Sequence, residues 1–74
     1  MLKIGEFSKL THVTVKTLRH YSQVVLLMPA HIDRFTGYRY YVLQQLPRLN
    51  RILALKDIGF SLQEIADILR ADVT

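Results

Sequence analysis

A mainly α-helical fold, a winged helix-turn-helix of four short helices with a two-stranded β wing, is what this 74-residue sequence predicts. Three observations point to it. Apolar residues recur at helical spacing in four separate segments, anchored by Ile4-Phe7-Leu10, Leu18-Tyr21, Leu46-Leu49-Ile52-Leu53 and Leu62-Ile65-Ile68-Leu69. The first two segments are joined by only three or four residues, the layout of a helix-turn-helix. Between Pro29 and Val42 the pattern becomes extended, with strand-favouring tyrosines following Gly37.

The first helix is expected over Ile4–Leu10. A break at Thr11-His12-Val13 precedes Thr14, whose hydroxyl can accept the free amide of Lys16 or Thr17 and so start the second helix. Leu18, Tyr21 and Val25 (or Val24) share the inner face of that helix, which turns Lys16, Arg19, His20 and Gln23 outward. The helix must end before Pro29, because proline disfavours helix in the residue ahead of it. Two extended pieces then flank Asp33–Gly37, the second covering Tyr38–Val42, with Gly37 supplying the backbone freedom of a tight turn.

The third helix is expected from Leu46, after an irregular turn at Leu43–Gln45, because Pro47 is tolerated only in a first turn. It should end near Ile58, with Gly59 as its stop. Leu55 and Ile58 fall outside its inner stripe, so one of them is expected to face the fourth helix. Ser61-Leu62-Gln63-Glu64 is a capping box that starts the fourth helix, which should run to about Arg70.

One small domain is all this length allows. Half the residues are hydrophobic and 22% are charged, a composition that folds. There is no cysteine, so disulfides and the common structural zinc sites are excluded. His12, His20 and His31 do not fall at ligand spacing, and neither a metal nor another cofactor is expected. Glu6 lies within the opening ten residues, unlike a signal peptide, and the longest apolar run, Val24–Ala30, is too short to span a bilayer. A soluble, cytoplasmic protein is expected. No Gly-rich phosphate loop, H-E-x-x-H or nucleophile motif is present, so no enzyme is expected.

Charge is distributed unevenly. From Thr14 to Lys56 seven basic residues face Asp33 alone, a net +6. The remainder holds Lys3, Lys9 and Arg70 against Glu6, Asp57, Glu64, Asp67 and Asp72, a net −2. A basic centre suits a polyanion such as double-stranded DNA.

Within this layout the wording of the segments resembles the N-terminal DNA-binding domain of MerR-family bacterial transcription regulators. The resemblance covers Ile4–Thr11 with Val13–Tyr21, then Leu26-Leu27-Met28-Pro29 with Gly37-Tyr38-Arg39-Tyr40-Tyr41, then Leu46–Ile58 and Gly59–Ile65. It implies one domain over residues 1–74, with the dimerising helix and effector region of the family lying outside it. It further implies a homodimer on a two-fold operator inside an over-long promoter spacer, where bending and untwisting of the DNA serve RNA polymerase indirectly. His20 stands where the family often has an aromatic residue, Val25 where it often has glycine, Met28 where a basic residue is frequent, and Val42 where Ser or Thr caps the third helix. An excisionase-like DNA-bending protein is the alternative of similar fold.

Candidate contacts follow from this layout. Lys16, Arg19 and His20, at i, i+3 and i+4, project together and suit base edges in a major groove. Thr14 and Thr17 suit a phosphate at the helix start. Tyr21 either packs in the core or lifts its hydroxyl to a phosphate. In the wing, Arg34, Tyr38 and Arg39 are candidates for the DNA backbone, with a cross-strand pairing of Arg39 to Asp33 as the other reading of that arginine. Arg48, Arg51 and Lys56 either solubilise the third helix or touch DNA; the resemblance favours Arg51.

Overall fold

In the computed structural model, which describes residues 1–71, the elements run β1 (Leu2–Lys3), α1 (Ile4–Thr11), α2 (Val15–Gln23), β2 (His31–Ile32), β3 (Arg39–Tyr41), a 3₁₀ turn (Leu43–Gln45), α3 (Leu46–Asp57) and α4 (Leu62–Ala71). Asp72, counted above among the acidic residues, lies outside the described residues, as does the end of the expected 1–74 domain.

Local side-chain chemistry starts the helices. Thr14 Oγ1 accepts the Thr17 amide at 3.1 Å, which sets the first turn of α2. Ser61 Oγ accepts the Glu64 amide at 3.1 Å while Glu64 Oε1 accepts the Ser61 amide at 2.9 Å, the reciprocal capping expected for α4. The Ser61 amide, and after it the Ser61 hydroxyl, hold the Glu64 carboxyl below its ordinary pKa. Pro47 falls in the first turn of α3, where its missing N–H breaks no helical bond. Beyond α3, Gly59 takes φ +105°, as a helix stop requires.

The wing is larger than expected. β3 is central to a three-stranded antiparallel sheet of order β1-β3-β2, with Leu2 opposite Tyr41, Lys3 opposite Tyr40, and His31 opposite that same Tyr40. The extra strand is two residues long, too short to leave a periodic signal.

The end of α2 also departs from expectation. The helix stops at Gln23, and Val24 and Val25 point outward rather than into the core. Leu26 and Leu27 are buried in their place. The chain turns because Val25 adopts φ +57°, the left-handed conformation that glycine favours. Leu26 and Leu27 bond back through their amides to the Tyr21 carbonyl at 2.8 and 3.2 Å. Arg48 Nε, from α3, donates to the Leu26 carbonyl at 2.8 Å, so this arginine ties α3 to the turn after α2.

The core lies where α1, α2, β3, α3 and α4 converge. Phe7, Leu18, Tyr41, Leu49, Ile52 and Ile65 are fully buried. Each such side chain contributes about 1.5–3 kcal/mol relative to exposure. This packing fixes the wing and α3 relative to α2.

Candidate nucleic-acid interface

The outer face of α2 follows from burial of its inner face. With Leu18 and Tyr21 in the core, Lys16, Arg19 and His20 are left exposed together. Thr14 and Thr17 stand at the head of the helix, where the Thr14 hydroxyl also donates to Thr17 Oγ1 at 2.9 Å. No acidic residue occupies the first turn of α2. The unpaired amides there therefore keep their partial positive charge for an anion.

The Tyr21 ring packs in the core, and burial raises the pKa of its hydroxyl. One edge still borders an open cleft shared with Lys16, Thr17 and His20 of α2, Lys56 of α3 and Leu62 of α4. Lys56 thereby borders the same cleft as His20, a grouping no spacing in the sequence expressed.

On the other flank of α2, Arg19 shares a groove of about 510 Å³ with Tyr38 and Arg39 of the wing and with Lys3, Glu6 and Lys9. Lys3 and Lys9 were not among the expected contacts. They reach this groove because β1 pairs with β3, a long-range contact without local signature. Lys3 Nζ lies 5.4 Å from the centroid of the Tyr38 ring. Four cations against Glu6 make this groove strongly basic.

The wing presents its two faces unequally. Tyr41 is fully buried, Arg39 and Tyr40 are half-buried, and Tyr38 is exposed. The Arg39 Nε is buried and finds no hydrogen-bond partner among the described residues. Asp33 does not serve as that partner. Its Oδ1 accepts the amides of Phe35 at 2.8 Å and Thr36 at 2.9 Å, which closes the tip of the wing. The Thr36 amide, then the Phe35 amide, hold the Asp33 carboxyl below its ordinary pKa. Arg34 and Arg51 are exposed, and neither lines the two grooves that flank α2.

Among the described residues no group of three or more His, Cys, Asp or Glu is placed to hold a metal ion. Likewise, no helix is long and apolar enough to cross a membrane.

Known proteins resemble this arrangement closely. Residues 2–72 match the family model described as MerR HTH family regulatory protein. The chain is 48% identical over 62 residues to the multidrug-efflux transporter 1 regulator of Bacillus subtilis (strain 168), a match covering 84% of this chain and 22% of that protein. It is 42% identical over 72 residues to the transcriptional regulator BrlR of Pseudomonas aeruginosa, covering 97% of this chain and 26% of that one. Among solved structures, the cryo-EM structure of the EcmrR–DNA complex in EcmrR-RPo superposes with a TM-score of 0.92 at 39% identity, over 97% of this chain and 27% of that chain. The crystal structure of MtaN, the N-terminus of the Bacillus subtilis multidrug transporter activator, gives 0.84 at 36% identity, over 93% of this chain and 64% of that one. The chain thus spans about a quarter of the length of the curated relatives it matches.

Proposed function

The chain belongs to the MerR HTH family of regulatory proteins and carries its DNA-binding domain, and from that premise we propose that it reads promoter DNA with α2 in the major groove and the wing on the adjoining phosphate backbone. The observation that carries this reading is the continuous basic surface formed by the outer face of α2 and the groove that joins Arg19 to Tyr38 and Arg39. A helix and its flanking cations then face the two parts of a duplex that carry information and charge, the base edges and the phosphates.

Lys16, Arg19 and His20 take the base edges, where Arg and Lys meet the guanine acceptors. Thr14, Thr17 and the free amides at the head of α2 take a phosphate, with the Tyr21 hydroxyl beside them. Arg39, Tyr38 and Arg34 follow the backbone along the wing, and Arg51 meets it from α3. No cofactor is involved in these contacts. The parent acts in the cytoplasm as a homodimer on a two-fold operator and reaches RNA polymerase through the shape of the DNA. The relatives carry regulator names and lend an excisionase-like role no support.

A fluorescence-anisotropy titration of a random-sequence duplex between about 50 and 200 mM salt tests the reading. Affinity should fall linearly on logarithmic axes, by about 0.9 in slope for each phosphate neutralised. Binding indifferent to salt, or none at low salt, would overturn it.

A further inference from the structure

We infer that Phe35, at the tip of the wing, is an apolar wedge that enters the DNA minor groove beside the major groove occupied by α2. This rests on the DNA-binding reading and adds to it a residue that deforms the duplex. Phe35 is 91% exposed, while the aromatic rings of Phe7 and Tyr41 are completely buried. Folding therefore leaves one full ring in water, and burying it against a partner recovers a large apolar contribution.

The ring stands on an ordered turn. The amides of Phe35 and Thr36 donate to Asp33 Oδ1, and the Gly37 amide donates to the Asp33 carbonyl at 2.8 Å. The Asp33 amide donates to the Tyr38 carbonyl at 2.9 Å, and the Tyr38 amide to Thr36 Oγ1 at 3.2 Å. Little backbone entropy remains to be lost when the tip docks.

Its surroundings select a nucleic acid over a protein partner. The immediate neighbours of Phe35 on the tip are Arg34, Thr36 and Gly37, and the exposed apolar side chains next along the hairpin, Ile32 and Tyr38, are each three residues away, so the ring stands in a largely polar, cationic setting. The one acid at the tip, Asp33, turns its carboxylate to the loop amides. A ring beside an arginine matches a duplex, whose apolar base faces, opened where a step unstacks, lie between rows of phosphates.

Tyr38 and Arg39 share the groove with Arg19, at the edge of the α2 surface. Phe35 is three residues before Tyr38 and so lies within about 10 Å of it along the chain. Beyond the phosphate strand bordering the major groove opens a minor groove about 6 Å wide. Phenylalanine and other apolar side chains inserted there unstack a base step and kink the helix.

The test uses a duplex enriched from a random pool by the unaltered chain, with 2-aminopurine substituted in turn at successive steps across and beside the bound site. The unaltered chain should raise fluorescence several-fold at one step lying under the wing. Phe35→Ser should abolish that rise and weaken binding about tenfold with the salt slope unchanged, since no charge is removed. Phe35→Leu should keep both. Thermal unfolding of the variants should match the unaltered chain, because the ring is exposed. Unchanged affinity and fluorescence in Phe35→Ser, or weakened binding with no fluorescence response at any step, would overturn the wedge alone. Failure of the unaltered chain to enrich any duplex would overturn the DNA-binding reading, and the wedge with it.

Discussion

The ring of Tyr41 lies flat against the ring of Phe7, with centroids 4.7 Å apart and planes 5° from parallel. Phe7 belongs to α1 and Tyr41 to the central strand of the wing, and both are fully buried. The stack therefore sets where the wing stands relative to the helix-turn-helix. Packing of this kind is rigid, because interiors are close to crystal density.

The Tyr41 hydroxyl is buried, has no hydrogen-bond partner among the described residues, and has its pKa raised by that burial. A buried hydroxyl without a partner costs stability. Tyr41→Phe should accordingly be neutral or stabilising, whereas Tyr41→Ala should cost about 3–5 kcal/mol through the lost ring and the cavity it leaves. Urea unfolding measures both. A clear loss in Tyr41→Phe would show that the hydroxyl has a partner in solution.

Val25 combines a β-branched side chain with φ +57°, and it is 68% exposed, so little burial offsets the strain. The left-handed conformation costs a residue other than glycine roughly 1–2 kcal/mol. Val25→Gly removes that cost and adds back part of it as unfolded-chain entropy. A net gain of about 0.5–1 kcal/mol is expected, read as a higher urea midpoint at unchanged m-value. A lower midpoint would mean that contacts of the valine outweigh its backbone strain.

Much of the fold was legible because its signals are local. Thr14, Pro47, Gly59 and the Ser61–Glu64 pair each act on the backbone within a few residues, and each stands where the sequence reading placed it. The departures arise where distance along the chain decides. β1 exists only through pairing with a strand almost forty residues away, and Val24 and Val25 leave the core because the turn after α2 sends Leu26 and Leu27 inward. The same division runs through the candidate interface. Lys16, Arg19 and His20 are grouped by helical spacing alone, while Lys3, Lys9 and Lys56 join them only after the strands and helices have packed.

Arg19 and Arg39 border the same groove but should behave differently. Arg19 projects from α2, so Arg19→Ala should cost roughly 1–3 kcal/mol on a selected duplex and relax base preference at one position. Arg39 lies on the wing, and Arg39→Ala should weaken all sequences alike and reduce the salt slope by about one unit. Competition between selected and random duplexes, repeated at several salt concentrations, separates the two. Equal weakening of both duplexes by Arg19→Ala would confine that residue to the backbone.

The tip of the wing should be sensitive to acid. The amides of Thr36 and Phe35 stabilise the charged form of Asp33, so its folded pKa lies below its unfolded one. A group depressed in this way contributes stability above the unfolded pKa, near 3.9 for an ordinary aspartate, and loses it as pH falls through the folded value. The amide resonances of Phe35 and Thr36 should therefore shift together on acidification, with a midpoint below that of a free aspartate. Asp33→Ala should abolish the shift and speed exchange of both amides at neutral pH. Independent titration of the two amides would show that they do not share this acceptor.

Ile58 closes α3 with 71% of its surface in water, whereas Leu55, one turn earlier, packs against the core. The residues of α4 nearest the core, Ile65 and Leu69, are already engaged there and do not cover Ile58. At this end of α3 a single exposed side chain offers far less area than the roughly 800 Å² per partner of a standard stable interface. The 74-residue chain should therefore sediment as a monomer at micromolar concentration and bind a single half-site weakly. Two copies joined by a flexible linker long enough to span both half-sites should bind a palindromic duplex tighter by a factor of about 10² or more, through effective concentration alone. The gain should vanish when the linker is too short to span them. A stable dimer of the untethered chain would place the dimer contact within these residues, and a tethered pair no tighter than one copy would show that two copies do not engage one duplex together; either result would overturn the prediction.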